Sequence, residues 1–166
     1  MSAQAIAVPF RTKLPSDWRS GKEVVFTERR VDGILKLAGD ALVLEIRVTE
    51  ATTRLSGSAG YATDETASDV AELAVPLDRV AALRLRKWWW GPRLTIVTDS
   101  LRFFEDVPGS KQGRLDLRIA RRDLAMAQTL VTESEIRLAD LSLRRVEGDP
   151  LSDQIGRLGL GADDEA

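Results

Sequence analysis

The sequence predicts a mainly β domain, an antiparallel barrel or sandwich of short strands, followed by one C-terminal α-helix. Three observations carry this reading. Apolar residues alternate with a period of two in short runs from residue 23 to about residue 120. Turn signals at Gly39-Asp40, Gly91-Pro92, Asp99-Ser100 and the stretch VPGSKQG separate these runs at intervals too short for intervening helices. After Ala120 the apolar spacing lengthens to about 3.6 residues, as on one face of a helix.

Taken in order, residues 1–22 lack periodicity and contain Pro9, Pro15 and Gly21, which predicts an extended N-terminal arm anchored by Trp18. The domain proper then runs over 23–145. EVVFTERRV predicts a strand over 23–31. A hairpin follows, with strands over 33–38 and 41–50 around Gly39-Asp40, where glycine supplies the positive backbone angle of a tight turn. Leu42, Leu44, Ile46 and Val48 share one face and Val43, Glu45 and Arg47 the other, so one face is solvated. Residues 51–68, rich in Thr, Ser, Ala and Gly, predict a long flexible loop. Further strands are predicted over 69–76, 80–89, 93–98, 101–104 and 114–119. Leu124, Ala127, Val131, Leu138 and Leu141 predict a helix over about 121–140, with Leu124 and Val131 facing the sheet. Thr132 and Glu135 fit a capping box, which predicts a break there. Residues 146–166 read as an acidic, disordered tail.

Composition narrows the function. With 166 residues and 43% apolar content the chain supports a single core. It has no cysteine and no histidine, which removes thiolate chemistry, disulfides and the commonest general base and metal ligand. A non-enzymatic protein without cofactor or metal is expected. Asp64, Glu65 and Asp69 lack the spacing of a calcium loop. The net charge of -2 argues against a nucleic-acid binder. No apolar window is long enough to span a bilayer and the first residues do not resemble a secretory signal, so a cytoplasmic location is expected, with attachment to the inner membrane face as a variant. Charge is unevenly spread: Arg79 to Arg93 contains four Arg plus Lys87 and no acid, whereas Glu147 to Ala166 has six acids against Arg157 alone.

The element order, the PLDRVAALRLR segment that ends one strand and begins the next, the RLTIVT strand and the closing IARRDLAMA together resemble the pleckstrin-homology-like superfold in its bacterial, GRAM-like branch. The resemblance covers roughly Glu23 to Asp140. It implies an antiparallel barrel or roll of about seven strands in two nearly orthogonal sheets, with the helix capping one open end. Members that bind inositol phosphates carry basic residues on the first hairpin. Lys36 and Arg47 stand at comparable places here, but Glu45 replaces the remaining basic residue, which argues against headgroup recognition at that hairpin.

The candidate site is the run RLRKWWWGPR. If the strand continues through Trp90, parity with Leu83 and Leu85 places Trp89 in the core and puts Trp88 and Trp90 beside Arg84 and Arg86. The tryptophans then either cover the core and stack on arginines or form an exposed aromatic and basic patch. Arg84, Arg86, Lys87, Trp88, Trp90 and Arg93 are the expected interface. Its partner is another protein or a second copy of the chain. An anionic lipid surface is the alternative.

Overall fold

A computed structural model describes residues 6–21, 23–56 and 60–147. The fold is mainly β with one C-terminal helix. The first antiparallel sheet contains β1 (Ala7–Lys13), β2 (Asp17–Ser20), β3 (Val24–Ala38), β4 (Ala41–Ser56), β5 (Gly60–Ala67) and β6 (Ala71–Pro76). The second contains β7 (Val80–Arg86), β8 (Arg93–Thr98) and β9 (Arg114–Arg118), and α1 (Leu124–Glu147) follows.

The β3–β4 hairpin organises the first sheet. Its register pairs Leu35 with Leu44 and Leu37 with Leu42, so the apolar parity of both strands falls on one buried face. Gly39 turns the chain at a φ of +56°, as the hairpin requires. Gly33 has a different task. A Cβ there would collide with the Glu45 carbonyl and the Phe10 ring, so its bareness lets β1 lie close against β3. The two sheets meet where β1 runs beside β9: Phe10 bridges Ile119, just past the end of β9, and Thr12 Oγ1 donates to Asp116 O at 3.4 Å and accepts from Arg118 N at 3.3 Å. At the opposite corner a 3-10 turn, Leu77–Arg79, carries the chain from β6 to β7 with Leu77 fully buried. The ladders form an open roll rather than a continuous barrel. Leu35, Leu44, Leu94, Ile96, Leu117 and Phe104 fill it, and Ala127 and Leu130 of α1 close one end.

Several sequence expectations need correction. The N-terminal segment is part of the first sheet, with Val8 and Phe10 in the core, while Trp18 is exposed and anchors nothing. The strands expected over 23–31 and 33–38 are one strand, because Gly33 keeps its place in the ladder. The expected loop at 51–68 is the end of β4 and the whole of β5: threonine is a good strand former, and Thr53 and Thr63 bond each other across the pair at 3.1 Å. The stretch Leu101–Phe104 is a 3-10 turn whose first residues are capped by Ser100, and Phe104 is fully buried. The strand that begins at Val80 stops at Arg86. The helix starts at Leu124 after a 3-10 turn and continues unbroken past Thr132 and Glu135, with Ser134 between them buried and its hydroxyl returned to Leu130 O at 2.7 Å. Leu124 and Val131 are only half-buried; the plugging residues are Ala127 and Leu130. The expected tail over 146–166 lies almost wholly outside the described residues.

Ion pairs hold the solvent face of the first sheet. Asp32 accepts from Arg11 Nε at 2.5 Å and from Arg30 Nε at 2.7 Å. Burial alone would push its carboxyl up, but these two hydrogen bonds and the charges behind them hold it below the ordinary value of 3.8. A carboxyl that titrates lower in the folded chain than in the unfolded one favours folding above the ordinary value. That contribution is lost as the pH falls through the depressed folded value. Asp32→Asn is therefore expected to cost about 1 kcal/mol near neutrality, Arg11 being largely and Arg30 partly exposed. Denaturation midpoints of wild type and variant should converge between about pH 5 and pH 2. A difference that does not change with pH would show that the charge on Asp32 contributes nothing.

Candidate binding face

The outward residues of the second sheet form two cross-strand rows. In the first, Arg86 of β7 lies opposite Arg93 of β8, which lies opposite Arg118 of β9. In the second, Arg84, Thr95 and Asp116 are aligned in the same way. Like charges directly opposite one another destabilise a sheet, so three aligned arginines need a reason. Among the described residues Arg86, Arg93 and Arg118 enter no salt bridge; the ion pairs on this sheet engage Arg79 and Arg114 instead.

Asp116 is the single carboxylate on these three strands, and it is already committed. It accepts from Thr95 Oγ1 at 2.5 Å and from Arg114 Nη2 at 3.1 Å. Burial acts to raise its carboxyl, yet the Thr95 and Arg114 hydrogen bonds, with the charges of Arg114 and Arg93, hold it below the usual carboxylate range. Asp123, at the helix start, is buried and has Arg122 Nε at 3.7 Å; its Oδ2 has no hydrogen-bond partner among the described residues. Neither acid forms an ion pair with the arginine row, although the charge of Arg93 reaches Asp116.

The tryptophans sit in the loop between β7 and β8, beyond the last paired residues Arg86 and Arg93. All three are exposed, and Trp89, expected in the core, is the most exposed at 71%. Strand parity fails for a simple reason: alternation requires pairing, and pairing ends before the run begins. A turn replaces it, with Gly91 N donating to Trp88 O at 3.0 Å and Gly91 at a φ of +127°. The Arg121 guanidinium donates to the Trp89 carbonyl and ties this turn to the start of the helix. The Trp89 and Trp90 rings have centroids 4.0 Å apart, and Trp88 and Trp90 are 5.9 Å apart, so the indoles form one tilted cluster.

Together these parts enclose a cleft of about 310 Å³ whose walls include Trp88, Trp90, Pro92, Arg86, Arg93 and Arg118. Of the residues expected at the interface, Arg86, Trp88, Trp90 and Arg93 meet in it. Arg84 lies one row away on the same face, and Lys87 lies in the loop. Arg114 and Arg118 were missed. Their outward parity within RLDLR is visible in the sequence, but the register that places Arg118 opposite Arg93 is not. Among the described residues no three carboxylates gather to hold a metal ion. Lys36 and Arg47 lie on the other sheet, where Lys36 is paired with Glu45, so the first hairpin is not part of this cleft. Compared with protein-family models, with curated proteins and with solved structures, the chain matches none.

Proposed function

We propose that the chain is a non-enzymatic binding module of pleckstrin-homology-like type whose second sheet captures an acidic segment of a protein partner. The observation that carries this reading is the row Arg86, Arg93 and Arg118, aligned with no salt-bridge partner among the described residues and walled by Trp88 and Trp90. Guanidinium groups recognise carboxylates through two parallel hydrogen bonds, and exposed indoles supply the anchoring area of an interface hot spot. The superfold reading draws support from the order of elements: a meander through β1, β3, β4 and β6, then β7 to β9, then one helix.

A second reading, attachment to an anionic membrane surface, draws support from the exposure of all three indoles at one projecting turn beside basic residues. Among the described residues no helix is long and apolar enough to cross a membrane. An anisotropy titration with a labelled Asp/Glu-rich peptide, run beside sedimentation with neutral and anionic vesicles, separates the two. The peptide is expected to bind, more weakly as salt rises, and Trp88→Ala with Trp90→Ala should weaken it by about tenfold or more. Binding to anionic vesicles alone would replace the first reading with the second. Binding to neither would end both.

A further inference from the structure

A different part of the molecule presents an apolar surface against which none of the described residues packs. β3 and β4, at 15 and 16 residues, are far longer than the core requires. Their outer halves, flanked by β2 and β5, form a four-stranded arm that contributes no residue to the core before Val31 or after Val48. Register divides the arm by face. Trp18, Phe26, Thr53 and Thr63 lie in one cross-strand row, and Ser20, Val24, Leu55 and Tyr61 in the next row on the same side. The other side carries Arg19, Arg29, Glu50, Arg54 and Asp64. Trp18 is 67% and Tyr61 77% exposed. A sheet with one apolar face needs a second layer, and among the described residues the arm has none.

We infer that the second layer is the same arm of a second copy of this chain, packed face to face about a two-fold axis parallel to the strands. The size gradient across each row supports that occupant. Along the first row the side chains run large, large, small, small; along the second they run small, medium, medium, large. The two-fold reverses each row over itself. Trp18 then covers Thr63 of the second copy, Phe26 covers Thr53, Leu55 covers Val24 and Tyr61 covers Ser20, so every large group meets a small one across the gap of about 10 Å between packed sheets. Charge agrees. Glu28, next to the patch on the same face, is already paired with Lys13 at 2.7 Å, and this hydrogen bond and charge hold its carboxyl below the usual range. Glu65, in the same row as Glu28 and Ala51, forms no salt bridge among the described residues, so the face carries one unpaired acid beside the patch rather than a row of like charges such as the arginines of the second sheet. The exposed apolar area is on the order of 500 Å² per copy, which brings two copies to the lower bound of a specific interface.

The chain has no cysteine, so introduced thiols report geometry without interference. Sedimentation equilibrium of the full chain is expected to show a dimer at about 50 μM, and Trp18→Glu with Tyr61→Glu should weaken association at least about tenfold while circular dichroism is unchanged. In a second experiment Trp18→Cys with Thr63→Cys should give a covalent dimer with a bismaleimide about 10 Å long, because these positions face each other only between copies. Arg19→Cys with Ala62→Cys, on the opposite face, should give none. A monomer at about 200 μM, or cross-linking from the opposite face alone, would overturn the proposal. Peptide capture by the arginine row is measured separately, so either result can fail without the other.

Discussion

Arg93→Glu is expected to remove binding of the acidic partner and, in the same protein, to raise the unfolding temperature. The two effects have one cause. Arg93 lies between Arg86 and Arg118, so the native row contains two directly opposed like-charge pairs. Glutamate converts both into opposite-charge pairs, and each cross-strand change of that kind is worth about 0.2–1 kcal/mol. One term opposes the gain: the positive charge of Arg93 helps hold the Asp116 carboxyl low, and a glutamate would push it up. Asp116 keeps its bonds from Thr95 and Arg114, so the net change is expected to be a gain of about 0.5 kcal/mol. Binding moves the other way and further. Reversing the central charge of the row should cost at least about 2 kcal/mol, roughly thirtyfold in affinity. Arg93→Gln should fall between wild type and Arg93→Glu in both measurements. A stabilised protein that no longer binds the peptide is the signature of a residue retained for recognition at the expense of the fold. A lowered midpoint with peptide affinity unchanged would remove the row from the site.

The contrast between what the sequence disclosed and what it concealed follows from the range of the interactions involved. Turn chemistry is local, so Gly39-Asp40 and Gly91-Pro92 marked their turns correctly. Alternation is local too, and it assigned Leu42, Leu44 and Ile46 to the core and Arg84 and Arg86 to the outside. It misled wherever a strand ended sooner than its composition suggested, as at Trp88, or where polar β-formers were read as a loop, as at Thr52, Thr53 and Thr63. Half of the candidate site was legible for the same reason. Arg86, Trp88, Trp90 and Arg93 are neighbours in sequence and were identified as a patch. Arg118 joins them only through the β8–β9 register, which is set by long-range packing of Leu94 against Leu117 and by no pattern near Arg93. The arm was hidden because its apolar residues are thinly distributed over four strands, two of which the composition gave no reason to expect.

The helix provides the largest expected effect on stability. Leu130→Ala should destabilise the fold by about 2–5 kcal/mol, through lost transfer energy and the cavity left behind, whereas Leu124→Ala should cost about 1 kcal/mol or less. The difference rests on burial: Leu130 is fully buried in the core cluster, while Leu124 is only half-buried and lies outside that cluster. The periodic pattern selected Leu124 and passed over Leu130, because the two lie about 120° apart on the helix, at opposite edges of the apolar stripe. In the folded chain Ala127, Leu130 and Ser134 are the fully buried residues of the helix, and the small side chains on either side of Leu130 let the helix backbone approach. Ser134 tests the same geometry from the polar side. Its hydroxyl bonds only to Leu130 O within the helix, so Ser134→Ala removes a polar group without orphaning a partner, since that carbonyl retains its place in the helical ladder. Its cost should be near zero, and Ser134→Leu should cost about 1–3 kcal/mol by overpacking. Urea denaturation at constant m-value separates these outcomes. A Leu124→Ala midpoint shifted as far as that of Leu130→Ala would place the helix in a different rotation, with its first turn rather than its second closing the roll.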